Sequence, residues 1–519
     1  MNDAAARATV VEVAEAFVDV LGAERVVTNA PALADEQRNL TEFPARRLGG
    51  ILRPADKDGV VAALAVARRF GVALHPFSTG RNWGLGSRVP TCDDGYLLDL
   101  GDLNAIRAID TGHRYAVIEP GVTQKMLADA LQDTECELMV HVTGSHEDTS
   151  IIGNCLDRGI GYFGARVSGI RGLEVVLADG TTVRTGHWRM GERSDGGALS
   201  HCYAHGLGPD LTGLFCQSNL GVVTAMVFDL MPRRPFVAAL LRFREADLAA
   251  VIDGLAELRT EEVISEGFEI DNDLDPRVDG LGLTTGSAER QWAVWMRLPG
   301  SERQIAVAKH RILRRLGRTC LRIDFFNPDD PSTLEGDPVF AALCDRWNGR
   351  PGNFSVAAMA QASGVETDGS NFNPDHEPAV SGFVCTLPAL PFAGADVTEA
   401  LALVESISAK HGVSAALTLS GLSTIALEGF FRVYFDRADE AAVATAHRWN
   451  SELHDALAAA GIHPYRISIA EMPRYFETQN DPYLDALAKI KSALDPQGII
   501  APGRYAPIHR NRRGGSDHE

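Results

Sequence analysis

The sequence predicts an α+β protein of two domains, and three observations lead there. From about residue 45 to 235, short apolar strand signals alternate with amphipathic helix signals. From about residue 236 the segments lengthen into a recurring strand-then-helix pattern, which suits an antiparallel sheet with helices on one face. Glycine-rich polar breaks follow apolar strands at several points, the first being PFSTGRNWGLGS at 76–87.

The elements follow in order. The N-terminal MNDAAARATVVEVAEAFVDVL carries Asp3, Glu12 and Glu15 among its apolar residues. It reads as an amphipathic helix, without the basic start and unbroken apolar core of a signal peptide. GGILRP is a short strand ending at Pro54. Asp56 caps the next helix, where Val60, Val61, Leu64, Val66 and Ala67 recur at helical spacing, and Gly71 stops it. VALHPF is the following strand, so a β-α-β unit runs into the glycine loop. GYLLDL, RYAVIEPGV and LEVVLADGTTVRT read as further strands, the last a hairpin turning at Asp179-Gly180. TQKMLADALQDT is a helix, and GVVTAMVFDLMPRRP is a buried strand ended by Pro232 and Pro235. VAALLRFREADLAAVIDGLAELR opens the second pattern, which recurs through FFRVYFDRADEAAVATAHRWNSELHDALAAAG. The segment NPDDPSTLEGDP is a polar loop, and 508–519 is expected to be a disordered tail.

Composition narrows the functions. A net charge of −20 repels nucleic acid and anionic membrane surfaces. No apolar run is long enough for a membrane-spanning helix. The eight cysteines are scattered without a CxxC pair, so neither a disulfide framework nor a zinc site is expected, and a reducing cytoplasm suits them. HCYAH sets His201 and His205 four apart with His187 upstream, but no third ligand is suitably spaced, and no metal is expected.

The loop at 76–87 holds Gly80, Gly84 and Gly86. It has neither the GxGxxG spacing of a dinucleotide fold nor the GK[ST] of a P-loop. Small residues through 77–82 can turn several backbone N–H groups to one side, a nest for phosphate oxygens, although a glycine-rich surface turn has the same composition. Four more breaks favour the first reading. They are VIEPGVTQKMLADAL with Pro120-Gly121, TSIIGNCLDRGIGY with Gly153, Asn154, Gly159 and Gly161, GLFCQSNLGVVT with Gln217 to Gly221, and DPQGIIAPGRY at 495–505. Together they suggest a long cofactor threading between buried strands.

STGRNWGLGS, VIEPGVT, IIGNCLDRGIGY, GLEVVLADG, GLFCQSNLGVVT and LDPQGIIAPGRY, in that order, resemble the vanillyl-alcohol oxidase and p-cresol methylhydroxylase family of FAD flavoproteins. HPYRIS and FFRVYFDRADEA extend the likeness into the second domain, while about 240–380 is weakly similar. The resemblance implies a split, PCMH-type FAD-binding domain from 1–235 and 465–507, with an antiparallel-sheet cap over 236–464. It implies FAD contacts from Phe77, Ser78, Thr79, Gly80, Arg81, Asn82, Gly84, Pro120, Gly121, Gly144, Ser145, Ser150, Ile151, Gly153, Asn154, Gly161, Gly221, Val222, Val223 and Arg504.

The same resemblance implies the chemistry. A hydride leaves a benzylic or alcohol carbon of an aromatic substrate for flavin N5, helped by phenolate stabilisation. Tyr465 and Arg466 match the family's phenolate-binding pair, and Tyr162 matches a further active-site tyrosine. Several positions depart from the pattern. Leu85 stands where the family has a phenol-binding tyrosine. Ser145 stands where it has an aspartate near the flavin, with His146, Glu147 and Asp148 directly after as replacement candidates. Glu428 stands where relatives carry a histidine and is a further candidate base. The covalent flavin anchor falls at Phe383 or Val384, neither able to form the bond, and the nearby Cys385 is expected to be buried, so FAD is expected to be non-covalent. These departures suggest a larger aromatic alcohol or a natural-product intermediate of secondary metabolism. Oxygen or an electron-transfer protein is the expected acceptor, and a homodimer the expected assembly. The alternatives are an FAD-dependent 2-hydroxy-acid dehydrogenase, which shares the split fold and the GIIAPG element, and a flavin-binding protein without redox catalysis.

Overall fold

A computed structural model describes residues 10–507, apart from 133, 135, 191–197, 276–288, 329–337, 368 and 478–480. The expected tail at 508–519 and most of the NPDDPSTLEGDP loop lie outside the described residues.

The architecture is α+β, with a first domain built on a four-stranded and a five-stranded sheet plus two two-stranded pairs, and a cap on an eight-stranded sheet. The β-α-β unit forms as its residues dictate. The Asp56 side chain accepts from Gly59 N at the N-cap, helix Lys57–Phe70 buries Val60, Ala63, Leu64, Val66 and Ala67, and Gly71 closes it in the left-handed region at φ 66°. The helix connects Leu48–Leu52 to Leu74–Phe77, and both strands flank Gly95–Asp99 in parallel. Val26–Val27 adds an antiparallel edge, and helix Val10–Leu21 seats Val13 and Phe17 in the same core.

The second sheet is antiparallel, in the order Thr182–Arg184, Ile170–Val176, Val222–Asp229, Tyr115–Ile118, Ile106–Asp110. Beyond it Pro232 does not end the strand structure: Met231–Pro232 is a short strand of its own, paired with Leu138–Met139. A two-residue edge pairing tolerates a proline because few of its N–H groups are needed.

The cap is an eight-stranded sheet. Its order is Arg322–Phe326, Phe236–Arg244, Gln291–Pro299, Phe268–Asn272, Ala416–Gly421, Ala426–Phe435, Gly382–Pro391, Pro464–Arg466. Period-two alternation gives it two faces. Val384, Leu417, Leu419, Leu427, Phe431 and Val433 pack in one core with helices Leu248–Thr260, Glu302–Leu316, Gly394–His411 and Glu440–Ala459. Phe383, Cys385, Leu387, Phe430, Arg432 and Tyr434 point the other way, into a cavity. The cap therefore takes Tyr465 and Arg466 as part of its edge strand, and the boundary expected at 465 falls inside that strand.

The chain then returns to the first domain. Leu74 N donates to Ile499 O and Ala501 N to Leu74 O, which brackets Leu74–Phe77 on its open side. Buried Lys491 fixes the return, with Nζ donating to Asp495 Oδ2 at 2.6 Å, to Ile500 O at 2.9 Å and to Asn219 O.

Candidate active site

Two cavities meet between the domains. The first, about 160 Å³, is lined by 77–82, Pro120, Ser150, Gly153, Asn154, Asp157, Gln217, Gly221, Val222, Val223, Arg466 and Arg504. The second, about 230 Å³, lies under the cap sheet and is lined by Trp83, Leu85, Thr143, Met359, Phe383, Phe430, Tyr434 and Tyr465, among others. Arg81, Asn82, Asn154 and Arg466 border both, so one space continues into the other.

The loop 78–82 lies along the wall of the first cavity. No hydrogen-bond acceptor among the described residues takes the N–H groups of 78–82. Consecutive unpaired amides form an anion nest. Gly80 bends the loop at φ 68°. Ser150 N donates to Thr79 Oγ1, Ser150 Oγ donates to Pro120 O and accepts from Gly153 N, which ties the loop to the segment opposite. A β-carbon on Gly153 would lie 2.5 Å from Ser78 Oγ, so the wall approaches this closely only with glycine there.

Other expected contacts sit elsewhere. Gly144, Ser145 and Gly161 border the second cavity. Ile151 is wholly buried in the core with Ile118 and Val122, because its helix turns that face inward, so it is not a cavity residue. Gly121 lies at a backbone crossing, where a β-carbon would come within 2.0 Å of Gly101 O. Gly84, at φ 80°, packs against Phe383 of the cap and not along the first cavity.

Arg466 stands at the junction. Its Nη2 donates to Asp157 Oδ2 at 2.6 Å and to Asn82 Oδ1 at 2.9 Å, and its Nε to Asp157 Oδ2 at 3.2 Å. Arg504 Nη2 and Tyr505 Oη donate to Asp157 Oδ1 at 3.0 and 2.8 Å. Burial opposes ionisation of Asp157, but the Arg466 and Arg504 guanidiniums outweigh it and hold the carboxyl below its ordinary range. The strand register shifts between Leu387 and Pro388, which lets neighbouring Tyr465 and Arg466 both face the cavity where a regular strand would send one away. Burial raises the Tyr465 hydroxyl well above the phenol range, with Arg466 opposing and Glu428 reinforcing, so it stays a neutral donor.

Tyr162 borders the same cavity, and its hydroxyl accepts from Arg346 Nη1 at 2.9 Å. Arg346 is fully buried on helix Pro338–Trp347. Glu428 lies in register with Ser420 and Ala389, on the face that carries Phe430, Arg432 and Tyr434. It stands behind the lining, with Oε2 buried and without a hydrogen-bond partner among the described residues. Burial pushes its carboxyl up to about 7, against the backbone N–H groups of Glu428 and Leu422.

His146 does not serve the cavity. Its Nδ1 accepts from Asp148 N at 3.0 Å and its Nε2 meets Gly369 O at 2.9 Å, so both nitrogens are committed to the loop. Burial pulls its pKa down, and the ring packs edge-on to Trp83. Among the described residues there is no group of side chains suited to a metal, and no helix is long and apolar enough to cross a membrane.

Asp157, Arg346, Arg432 and Glu269 went unmarked in the sequence. Asp157 sits inside IIGNCLDRGIGY, where a carboxylate between glycines was the available signal. Arg432 borders the cavity with Nε donating to Tyr434 Oη at 2.9 Å, and it pairs with buried Asp275. Glu269 reaches the same wall from Phe268–Asn272.

A split domain whose 78–82 amides line one cavity, capped by an antiparallel sheet over a second, aromatic-lined cavity, defines an FAD-dependent oxidoreductase with a cap domain. Residues 49–186 match the FAD_binding_4 family, described as an FAD binding domain. The chain is 31% identical over 537 residues to the 1'-carboxy-chondrochloren decarboxylase of Chondromyces crocatus, covering 94% of this chain and 96% of that protein. It is 24% identical over 505 residues to the 4-cresol dehydrogenase [hydroxylating] flavoprotein subunit of Pseudomonas putida, covering 94% of each. Its fold matches 4-ethylphenol oxidase from Gulosibacter chungangensis, in complex with isoeugenol, at a TM-score of 0.83 and 25% identity, over 96% of this chain and 97% of that one. It matches p-cresol methylhydroxylase with substrate bound at 0.84 and 22%, over the same shares. The chain belongs to the vanillyl-alcohol oxidase/p-cresol methylhydroxylase family of FAD flavoproteins, whose members oxidise phenolic and benzylic substrates.

Its cofactor is FAD. Phe383 offers only hydrocarbon to the cavity, and Val384 faces away from it into the helix-side core. Cys385 keeps its buried thiol on Gly84 O, and burial pushes its pKa up to about 12, so the thiolate is not formed near neutrality. FAD is held there without a covalent bond.

Proposed function

We propose that the protein oxidises a phenol-like aromatic compound at a benzylic or alcohol carbon, with the phenol held by Tyr465 and Arg466. The position of Arg466 at the junction of the two cavities, with Tyr465 beside it on the wall of the second, carries the reading. FAD, when bound along 77–82, Gly153, Asn154, Gly221–Val223 and Arg504, supplies the hydride acceptor. Arg466 Nη1 has no hydrogen-bond acceptor among the described residues and is left for the substrate, while its other nitrogens hold the guanidinium in place. A guanidinium and a neutral tyrosine stabilise a phenolate by charge-assisted hydrogen bonds, which lowers the barrier to hydride loss at the para side chain.

Trp83, Leu85, Phe383, Phe430 and Met359 supply an apolar wall that excludes water and grips an aromatic ring. Leu85 offers no hydrogen bond, so phenolate stabilisation rests on Tyr465 and Arg466. Arg346 orients Tyr162 at the opposite wall. Glu428, behind the cavity lining and raised by burial to about 7, is the candidate proton acceptor that acts on Tyr465 from the cap sheet. With eight free cysteines and a charge of −20, we place the protein in the cytoplasm, as a homodimer passing electrons to oxygen or to an electron-transfer protein.

A second reading has support from full-length similarity to a decarboxylase of a carboxylated compound. A substrate with a carboxylate one carbon beyond the benzylic position would lose a hydride and the phenol proton to give a quinone methide. The C–CO₂ bond then breaks, its electron pair restores the aromatic ring as a phenolate, and CO₂ leaves. Ser145 suits this reading, since a neutral side chain at this wall does not repel a carboxylate.

Anaerobic mixing of the yellow protein with 4-alkylphenols, 3-(4-hydroxyphenyl)propanoate and 2-hydroxy acids tests the proposal. Bleaching by a phenol supports it, and carbon dioxide release with the propanoate supports the second reading. Bleaching by a 2-hydroxy acid alone overturns both.

A further inference from the structure

Asp157 is one carboxylate shared by two guanidiniums and a tyrosine hydroxyl. Oδ2 accepts from Arg466, and Oδ1 accepts from Arg504 and Tyr505. Asp157 and Arg466 are largely enclosed, with side-chain exposures of 6% and 13%, while Arg504 is 30% exposed. Two positive charges against one negative leave a net positive charge where the cavities meet. A carboxylate that served Arg466 alone would cancel its charge; one divided with Arg504 and Tyr505 cancels part of it.

We infer that Asp157 is a positioning residue that sets how much of the Arg466 charge reaches the substrate cavity, and so how readily a bound phenol ionises. This rests on the proposal that Tyr465 and Arg466 hold the phenol. The charged and titratable groups around the pair are Arg504 and Tyr505 on the returning segment, Tyr465 on the same strand, Cys385 on the neighbouring strand, Glu428 acting through Tyr465, and Arg81, Arg432 and Glu269 on the wall of the same cavity. Asn82 adds a neutral acceptor to Arg466.

The division predicts opposite shifts from two variants. D157N removes the negative charge, so a bound phenol ionises at lower pH. Y505F removes one donor to Oδ1, which leaves more of the carboxylate charge on Arg466, so the phenol ionises at higher pH. A structural role for Asp157 would move both variants the same way, through loosened binding.

The experiment titrates 4-nitrophenol bound to FAD-loaded protein, reading the visible absorbance of the phenolate, with flavin content measured in each variant. The expected shifts are about one pH unit down for D157N and a smaller rise for Y505F. R466Q is the control: a bound 4-nitrophenol whose titration ignores R466Q overturns the phenol-holding proposal. A titration that responds to R466Q but shows no rise in Y505F, or no fall in D157N, overturns the role of Asp157. If D157N does not fold, the Y505F shift alone decides.

Discussion

Gly84 and Phe383 meet across the domain boundary so closely that a β-carbon on Gly84 would lie 2.3 Å from the Phe383 ring. Gly84 also holds φ 80°, which side-chain-bearing residues adopt at a cost. G84A should destabilise the protein by about 1–3 kcal/mol, read as a lowered denaturant midpoint. The cap should also lift locally, read as faster amide exchange along Gly382–Pro391. An unchanged midpoint and exchange pattern would contradict this contact.

Removing the Arg466 charge should affect chemistry more than binding. R466Q is expected to lower kcat/KM by about 10²–10³-fold, the usual effect of losing a charged transition-state donor. Y465F should lose about tenfold. Equal losses for a phenol and its O-methyl ether would disprove phenolate stabilisation, because the ether cannot ionise.

Glu428 couples activity and stability to pH. Its carboxyl ionises near 7 when folded and near 4.5 in its ordinary state. A raised carboxyl contributes stability that is complete below about 4.5 and is lost as pH rises through about 7. E428Q should remove that slope and leave the protein about 3 kcal/mol less penalised at alkaline pH, measured by urea unfolding across pH. If Glu428 accepts the substrate proton, kcat/KM of the parent rises through about 7 and that limb vanishes in E428Q.

Crowding at Gly153 should act on the cofactor. G153A places a β-carbon 2.5 Å from Ser78 Oγ, beside the nest. FAD should bind about tenfold more weakly, measured by titrating flavin into deflavinated protein, with little change in the fold by circular dichroism.

The Lys491–Asp495 pair should be costly to break. Both side chains are about 2% exposed or less, and Asp495 also accepts from the Ile499 and Ile500 amides. K491M leaves a buried carboxylate without its cation, a loss of about 3–5 kcal/mol. A thermal midpoint within error of the parent would refute it.

Local signals made part of this protein legible in its sequence. Asp56 and Gly71 delimit one helix because capping is decided within four residues. The 77–82 loop was ambiguous by composition, and it was the four further glycine breaks along the chain that favoured a nest over a surface turn. The order of the cap sheet was not legible, since Arg322–Phe326 lies beside Phe236–Arg244 and Pro464–Arg466 beside Gly382–Pro391, pairings set by packing and not by neighbours in the chain. Asp157 escaped notice because its partners lie 309 and 347 positions away. His146 looked like a base because an imidazole among carboxylates has that composition, yet the loop consumes both of its nitrogens.

The bracket of Leu74 by Ile499 and Ala501 has a consequence for biosynthesis. The strand that leads into the nest gains this neighbour only after residues 499–501 have been made, more than 400 positions later in the chain. Translation must pass through the whole cap first. The nascent first domain therefore waits with an open sheet edge, a hazard for aggregation, until that segment arrives.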